Sequence, residues 1–301
     1  FSSRRRHTRF RNVTGVQTCA LPIFEKRPTI GGLNTFGVAP YKMKADRSLT
    51  EAAWVLAIGG IDVKTSVAVG EQVTLQQLEK DFDAVFVGAG LGADSALGLP
   101  GENLPGVHGA VAWIEQMKLG KADLGPGKSA VIVGGGNTAI DAVREVKGLG
   151  VASVTMLYRG TREGMSGYQH EWDAALNDGV TAAWQSLPVA FEGNGRVQRV
   201  KCVKLDAAKK PIAGTEFTID ADLVLLAIGQ SKLGAMLASL SGITIDKGII
   251  QVDAHGFTGR AKWYAGGDCT NGGKEVVNAA AEGKAAAQAI DAAIMKGAAR
   301  A

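Results

Sequence analysis

Ser129-Ala130-Val131-Ile132-Val133-Gly134-Gly135-Gly136-Asn137-Thr138-Ala139-Ile140-Asp141-Ala142-Val143-Arg144 is the stretch on which the fold of this chain turns. A mostly apolar strand runs into three glycines, and the glycines lead straight into a segment with helical periodicity. Gly134, Gly136 and Ala139 fall on the G-x-G-x-x-G/A spacing. Each position has a physical task in a phosphate cradle. Gly134 lets the strand turn sharply, Gly136 removes the side chain that would block a pyrophosphate, and Ala139 keeps the helix close to the strand. Around Asn137 and Thr138 the free N–H groups of the helix start would face phosphate oxygens, with the positive end of the helix dipole behind them. The same spacing also occurs as a plain structural turn. The strand before it, the helix after it and a further apolar strand at 152–158 favour a dinucleotide site.

That further strand ends at Tyr158-Arg159. An acidic residue there would hold the ribose 2′-hydroxyl of NAD, whereas an arginine pairs with a 2′-phosphate. Arg162 is close enough in sequence to assist. NADP is therefore favoured, with NAD possible. The alternative for Arg159 and Arg162 is a pair of solvated loop charges.

A chain of 301 residues, 46% hydrophobic and with 41 glycines, suits a two-domain α/β protein rich in tight turns. Its net charge of +4 misleads, because Arg4, Arg5, Arg6, Arg9 and Arg11 lie in the first 23 residues without one acid. Taking those five charges away leaves −1, so the balance argues against a nucleic-acid partner. No apolar run reaches the length of a membrane span, and a cytoplasmic location without a membrane partner is expected. The 1–23 segment reads as a non-native N-terminal segment resembling translated sequencing adapter. A targeting segment and a disordered basic arm are the competing readings. It is set aside for the fold. Beyond it only Cys202 and Cys269 remain, far apart and in no C-x-x-C pair, so neither a redox dithiol nor a metal or iron–sulfur ligand set is expected.

From Phe24 onward the order is regular. Phe24-Glu25 reads as a strand end, Gly31-Gly32 follows, and a helix is predicted over 48–58. A buried strand over 83–90 ends in glycines, and a helix is predicted over 107–117. After the glycine turn, 196–205 and 215–219 alternate like a β-meander, and 221–230 repeats the pattern of a buried strand ending in glycine. Trp263-Tyr264-Ala265-Gly266-Gly267-Asp268 then precedes a small-residue helix over 276–295. The Gly267-Asp268 pair can set a carboxylate on a ribityl hydroxyl. Taken alone it is more often a simple turn.

This order of motifs resembles the flavoprotein reductases with two dinucleotide-binding domains, and more narrowly the glutamate synthase small-subunit branch. That branch includes the NAD(P)H-oxidising flavoprotein portion of dihydropyrimidine dehydrogenase. The matching segments are Gly31-Gly32-Leu33-Asn34-Thr35-Phe36-Gly37-Val38-Ala39-Pro40-Tyr41-Lys42, Leu99-Pro100-Gly101-Glu102-Asn103-Leu104, 134–141, Tyr158-Arg159, 225–230 and 266–284. Within the branch, Asn271-Gly272-Gly273-Lys274-Glu275-Val276-Val277-Asn278-Ala279 is more similar to the pyrimidine-reducing subunit than to the glutamate synthase subunit.

The resemblance implies an α/β fold of two Rossmann-like domains, an NAD(P)H domain over 121–226 inserted in a discontinuous FAD domain over 24–120 and 227–301. It implies that Glu25 holds the adenosine ribose of FAD and that Gly31, Gly32 and Leu33 approach the flavin. Gly229, Gly267 and Asp268 would line the rest of that site, with Glu275, Val276 and Val277 at the pyrimidine end of the ring. Gly134, Gly135, Gly136, Asn137, Thr138, Ala139, Arg159 and Arg162 would hold NADPH. Hydride transfer from nicotinamide to flavin needs close stacking and no protein acid, so no catalytic side chain is named. His108, His170, His255, Glu171 and Asp173 are read as packing or surface groups.

Electrons would leave through iron–sulfur clusters outside this chain to a catalytic partner subunit, for pyrimidine reduction or, alternatively, glutamate synthesis. Two departures from the branch stand out. Its first FAD-binding strand and glycine loop, expected about thirty residues before Glu25, are replaced by the foreign-looking terminus, along with any fused cluster module. Gly160 stands where a second basic residue is common. A third reading follows, a truncated non-catalytic fragment that binds NADP and a partner surface but little flavin.

Overall fold

The computed structural model describes residues 21–298. The 1–20 part of the basic terminus, Cys19 included, lies outside the described residues. The chain divides into two compact units. One holds the described residues up to Thr35, Asp46–Ala89 and those from Gly234 on. The other holds Phe36–Ala45 and Gly90–Leu233.

The first unit opens with β1 (Leu21–Glu25), α1 (Gly32–Phe36), α2 (Ala45–Leu56), β2 (Ile61–Thr65), α3 (Leu75–Asp81) and β3 (Val85–Val87). Leu21, Pro22 and Ile23 were set aside with the basic terminus, and this is corrected. They form β1 with Phe24 and Glu25, parallel to β2 from Leu21↔Ile61 to Glu25↔Thr65. Pro22 lacks a donor, which an edge strand tolerates. The helix predicted over 48–58 starts earlier, at Ala45, and ends at Leu56. Gly59 and Gly60, both with left-handed φ, stop it there. In α3, Thr74 and Gln77 form a reciprocal capping box.

The second unit contains β4 (Val107–Gly109), α4 (Ala110–Lys118), β5 (Ser129–Val133), α5 (Asn137–Gly148), β6 (Ser153–Leu157), α6 (Gln169–Asn177), β7 (Thr181–Ala183), β8 (Ser186–Glu192), β9 (Arg199–Lys204), β10 (Phe217–Asp220) and β11 (Leu223–Leu226). Five of these strands form a parallel sheet in the order β4-β11-β5-β6-β7. Both faces of β5 are covered. The helices α4, α5 and α6 pack on one side through Ile114, Ile140, Val143 and Trp172. The antiparallel sheet β10-β9-β8 covers the other through Phe191, Val200 and Cys202. A parallel strand buried on both faces reads as a continuous apolar run, which is why 129–133 was legible.

Three expectations are revised in this unit. The helix predicted over 107–117 begins only at Ala110, because Val107–Gly109 pairs with β11 and the Asp94 carboxylate accepts the N–H groups of Val111 and Ala112. The meander has an extra strand, β8, in which a register shift between Pro188 and Ala190 accommodates the proline. The strand at 221–230, read as the counterpart of 83–90, shortens to β11 and joins this sheet between β4 and β5, whereas β3 pairs elsewhere. The pairing of β4 draws 90–120 into the second unit, so the compact units do not break at 120/121 or 226/227.

The chain then completes the first unit with a 3₁₀ turn at Gly234–Leu237, β12 (Ile245–Asp246), β13 (Ile249–Ile250), β14 (Trp263–Ala265), α7 (Asp268–Asn271) and α8 (Val276–Ala298). β14 lies parallel to β3, with Trp263↔Val85 and Ala265↔Val87. Trp263, Leu237, Ile250 and Cys269 centre the core of this unit. Among the described residues no helix is long and apolar enough to cross a membrane.

Candidate dinucleotide site

The three glycines between β5 and α5 have different reasons to be glycine. Gly134 has φ +144°, and a Cβ there would sit 2.3 Å from the Ala227 carbonyl oxygen. A Cβ on Gly135 would meet the Tyr158 ring at 2.5 Å. Both positions are forced by packing. Gly136 is not: its φ is −94°, and its Cβ would meet nothing nearer than the Ser166 hydroxyl at 3.7 Å. The space above the helix start is therefore kept open without a protein atom requiring it.

Gly136 is the N-cap of α5 and supplies no side chain to the helix end. The N–H groups of Ala139 and Ile140 turn back onto the Gly136 carbonyl. Those of Asn137 and Thr138 have no acceptor among the described residues. Ala139 is fully buried, seating the helix on the sheet. Two free donors at the positive end of a twelve-residue helix are an arrangement that favours an anion.

The loop after β6 is fastened beside this turn. Gly167 N–H donates to the Gly135 carbonyl (3.0 Å), the Tyr168 N–H to Asn137 Oδ1 (2.9 Å) and the Tyr158 hydroxyl to the Gly164 carbonyl (3.1 Å). The loop carries both candidate arginines, and their situations differ. Arg159 is exposed and has no ion pair or hydrogen bond among the described residues. Arg162 is bound to Asp173 Oδ1 at 2.6 Å, and Gln169 donates to the same oxygen at 2.9 Å. Asp173, read from sequence as a surface charge, thus holds one of the two cations. Glu171, read the same way, accepts the Lys42 ammonium at 2.8 Å.

Lys42 also contacts Asp141 Oδ1 at 2.8 Å, and the Tyr41 hydroxyl donates to that same atom at 2.5 Å. Burial and the neighbouring Asp141 push the Tyr41 hydroxyl up from its ordinary pKa. Burial alone would lower the Lys42 ammonium, but its hydrogen bonds to Asp141 and Glu171 outweigh that and raise it. In the sequence Tyr41 and Lys42 stand out only as part of the segment that carries the family resemblance. Their partners lie about a hundred residues away, beyond the reach of any local pattern.

The expected flavin residues fall mainly in the first unit. Glu25 ends β1, and its Oε1 accepts the Arg27 N–H at 2.8 Å. Gly31 and Gly32 both have left-handed φ, +101° and +51°, and Gly32 faces open space. Leu33 is exposed on α1. Gly267, at φ +77°, precedes Asp268, whose Oδ1 accepts the Lys274 N–H at 3.2 Å. Glu275, Val276 and Val277 stand exposed at the start of α8. Gly229 is in the second unit, where its carbonyl accepts the Ser95 N–H at 2.9 Å.

One residue of this region was not foreseen. The Glu282 carboxylate accepts the Gly267 N–H (2.6 Å), the Thr270 hydroxyl (3.2 Å) and the Asn271 amide (3.0 Å), pinning the Gly267 turn to α8. Burial would raise its pKa, but these hydrogen bonds hold it below the ordinary carboxylate value. Only its place on the second turn of a helix that starts at Val276 could have pointed to it.

Cys202 and Cys269 are buried in different cores, and burial pushes the Cys202 thiol up to about 12. His108 lies in β4 with its Nε2 buried and unpartnered, and burial lowers its pKa. His170 stacks on Tyr168, and the His255 N–H donates to Asp253. Among the described residues no group of side chains is arranged to hold a metal ion.

Residues 32–283 match the pyridine nucleotide-disulphide oxidoreductase family. The chain belongs to that family. The oxidoreductase family includes relatives that are much longer than this chain. The NADP(+)-dependent formate dehydrogenase subunit beta of Moorella thermoacetica is 33% identical over 89% of the chain, which spans 40% of that protein. The glutamate synthase [NADPH] small chain of Halomonas elongata is also 33% identical over 89%, and the chain spans 61% of it. In structure, thioredoxin reductase of T. acidophilum superposes with a TM-score of 0.72 at 19% identity, covering 90% of this chain and 89% of that one. The fold is thus the α/β fold of this oxidoreductase family.

Proposed function

We propose that this chain is the NAD(P)H-oxidising flavoprotein part of a larger oxidoreductase, taking electrons from NADPH and passing them through FAD to a catalytic partner subunit. The open space at Gly136 over two unpartnered helix N–H groups carries the reading. In it, Asn137 and Thr138 donate to the pyrophosphate, and Arg159 pairs with the 2′-phosphate. Arg162 stays with Asp173 and contributes little.

In the first unit the residues present fit a flavin. Gly32 is open, one Glu25 oxygen is unused by Arg27, and the exposed α8 start offers helix N–H groups beside Val276 and Val277. FAD, when bound, would accept the hydride and release electrons one at a time. The chain's own residues would hold the cofactors and keep water away. No side chain is required to move a proton.

For the electron acceptor we favour a dihydropyrimidine dehydrogenase-like partner, reached through iron–sulfur clusters outside this chain. The likeness of 271–279 to the pyrimidine-reducing subunit supports it. A glutamate synthase partner is the second reading, supported by the relatives of that name. Purified chain supplemented with FAD should reduce an artificial one-electron acceptor with NADPH. Supplied with a partner, NADPH oxidation that depends on uracil or thymine supports the first reading. Dependence on 2-oxoglutarate with glutamine supports the second. No NADPH-dependent reduction under any of these conditions refutes the function.

A further inference from the structure

We infer that Lys42 is a positioning residue for the nucleotide site: by bridging Asp141 on α5 and Glu171 on α6 it holds the 158–168 loop, and with it Arg159, against the glycine turn. The inference rests on the nucleotide reading of that turn.

Residues 36–45 are a strap. They pack with the second unit although the residues on either side of them belong to the first. Most of the strap's grip is on α5 alone. The Tyr41 N–H donates to Glu145 Oε1 at 3.0 Å, the Tyr41 hydroxyl to Asp141, and the Arg144 guanidinium lies 4.3 Å from the centre of the Tyr41 ring. Lys42 alone among these reaches α6 as well, with 2.8 Å contacts to both Asp141 and Glu171. Asp141 lies in the second turn of α5 and Glu171 in the first turn of α6, so the ammonium joins the helices at their starts.

Those starts frame the loop. Tyr168 is the N-cap of α6, and its N–H donates to Asn137 Oδ1 at the start of α5. Lys42 therefore adds a third tie at the loop's exit, beside the Gly167–Gly135 and Tyr168–Asn137 hydrogen bonds. The carboxylates it bridges are only 12% and 13% exposed, so their charges are poorly screened. Without the ammonium, two partly buried anions face each other and push the start of α6 away from α5. The loop moves with α6, and the backbone that carries Arg159 is held less closely beside the turn.

The test uses the full chain with three variants: K42M, K42R, and E171Q, which spares the fold the repulsion if K42M melts. Hydrogen exchange over 160–171 and calorimetric titration with NADP+ and with NAD+ are measured on each. In K42M and, less strongly, in E171Q, exchange over 160–171 accelerates while exchange in β5 and β11 does not. NADP+ binding weakens about tenfold in K42M, the scale expected of a residue that acts on a ligand through its neighbours. NAD+ binding changes less, and K42R restores both exchange and NADP+ affinity. Unchanged exchange in K42M and E171Q overturns the inference, as does an equal loss for NADP+ and NAD+. If the wild-type chain binds neither nucleotide, the proposed function falls, and the inference with it.

Discussion

Alanine at Gly134 and alanine at Gly136, two residues apart, should have opposite consequences. At Gly134 the φ of +144° is one an L-residue rarely adopts, at a cost of about 1–3 kcal/mol. The new Cβ would also sit 2.3 Å from the Ala227 carbonyl oxygen. Ala227 cannot readily retreat, because its own N–H donates to the Val133 carbonyl at 2.8 Å at the end of β11. Overpacking of that kind adds roughly 1–3 kcal/mol. G134A should therefore lose about 4 kcal/mol, which lowers the midpoint of thermal unfolding by roughly 10 °C for a protein of this size.

At Gly136 the φ of −94° suits alanine and the nearest atom is 3.7 Å away. G136A should fold with its stability changed by no more than about 1 kcal/mol. The methyl group would instead stand over the free N–H groups of Asn137 and Thr138. Losing one or two charge-assisted hydrogen bonds, each worth about 1.5–3 kcal/mol, weakens NADP+ binding about a hundredfold or more. Thermal unfolding and calorimetric NADP+ titration on the same preparations separate the two effects. G136A binding NADP+ as tightly as the parent, or G134A melting together with it, would refute the assignment of the open space to a ligand.

Three further outcomes follow. R159M should lower the preference for NADP+ over NAD+ by about tenfold, whereas R162M should leave it within about twofold, because Asp173 already holds Arg162; competition titrations with both nucleotides check the difference. Ile140 is fully buried between α5 and the sheet, so I140A should cost about 2–5 kcal/mol in urea unfolding. Glu282 has a folded pKa below the ordinary 4.5, so its contribution to stability is complete above 4.5 and is lost as pH falls through the lower folded value. Unfolding followed between pH 6 and pH 3 should show E282Q with a weaker acid dependence than the parent. An unchanged acid limb would mean that the carboxylate does not pin the Gly267 turn.

The parts legible in the sequence were those fixed by local pattern. The apolar run 129–133, its glycine turn and the second strand ending at Arg159 each declare themselves within a few residues, and β5, α5 and β6 follow that reading closely. Boundaries failed where a distant group decided them. The start of α4 is set by Asp94, and the pairing of Val107–Gly109 by β11 more than a hundred residues later. β8 was missed because Pro188 masks a strand that only a register shift makes possible. Leu21–Ile23 were discarded for their company, although they pair with β2.

The same holds within the site. Gly134, Gly135 and Gly136 read as one group in the sequence, and only the packing of Ala227 and Tyr158 separates the first two, which have no room for a side chain, from Gly136, which has. In the sequence Arg162 reads as an assistant to Arg159. The bond from Arg162 to Asp173, eleven residues further along the chain, separates them. Lys42, Asp141 and Glu171 come from three distant segments that only the folded unit assembles.

A structure of the chain with NADP+ bound tests the central claim most directly. The pyrophosphate is expected over Gly136, within hydrogen-bond reach of the Asn137 and Thr138 N–H groups, and the 2′-phosphate on the Arg159 guanidinium, with Arg162 still on Asp173. A nucleotide bound elsewhere, or one whose 2′-phosphate leaves Arg159 untouched, would contradict it.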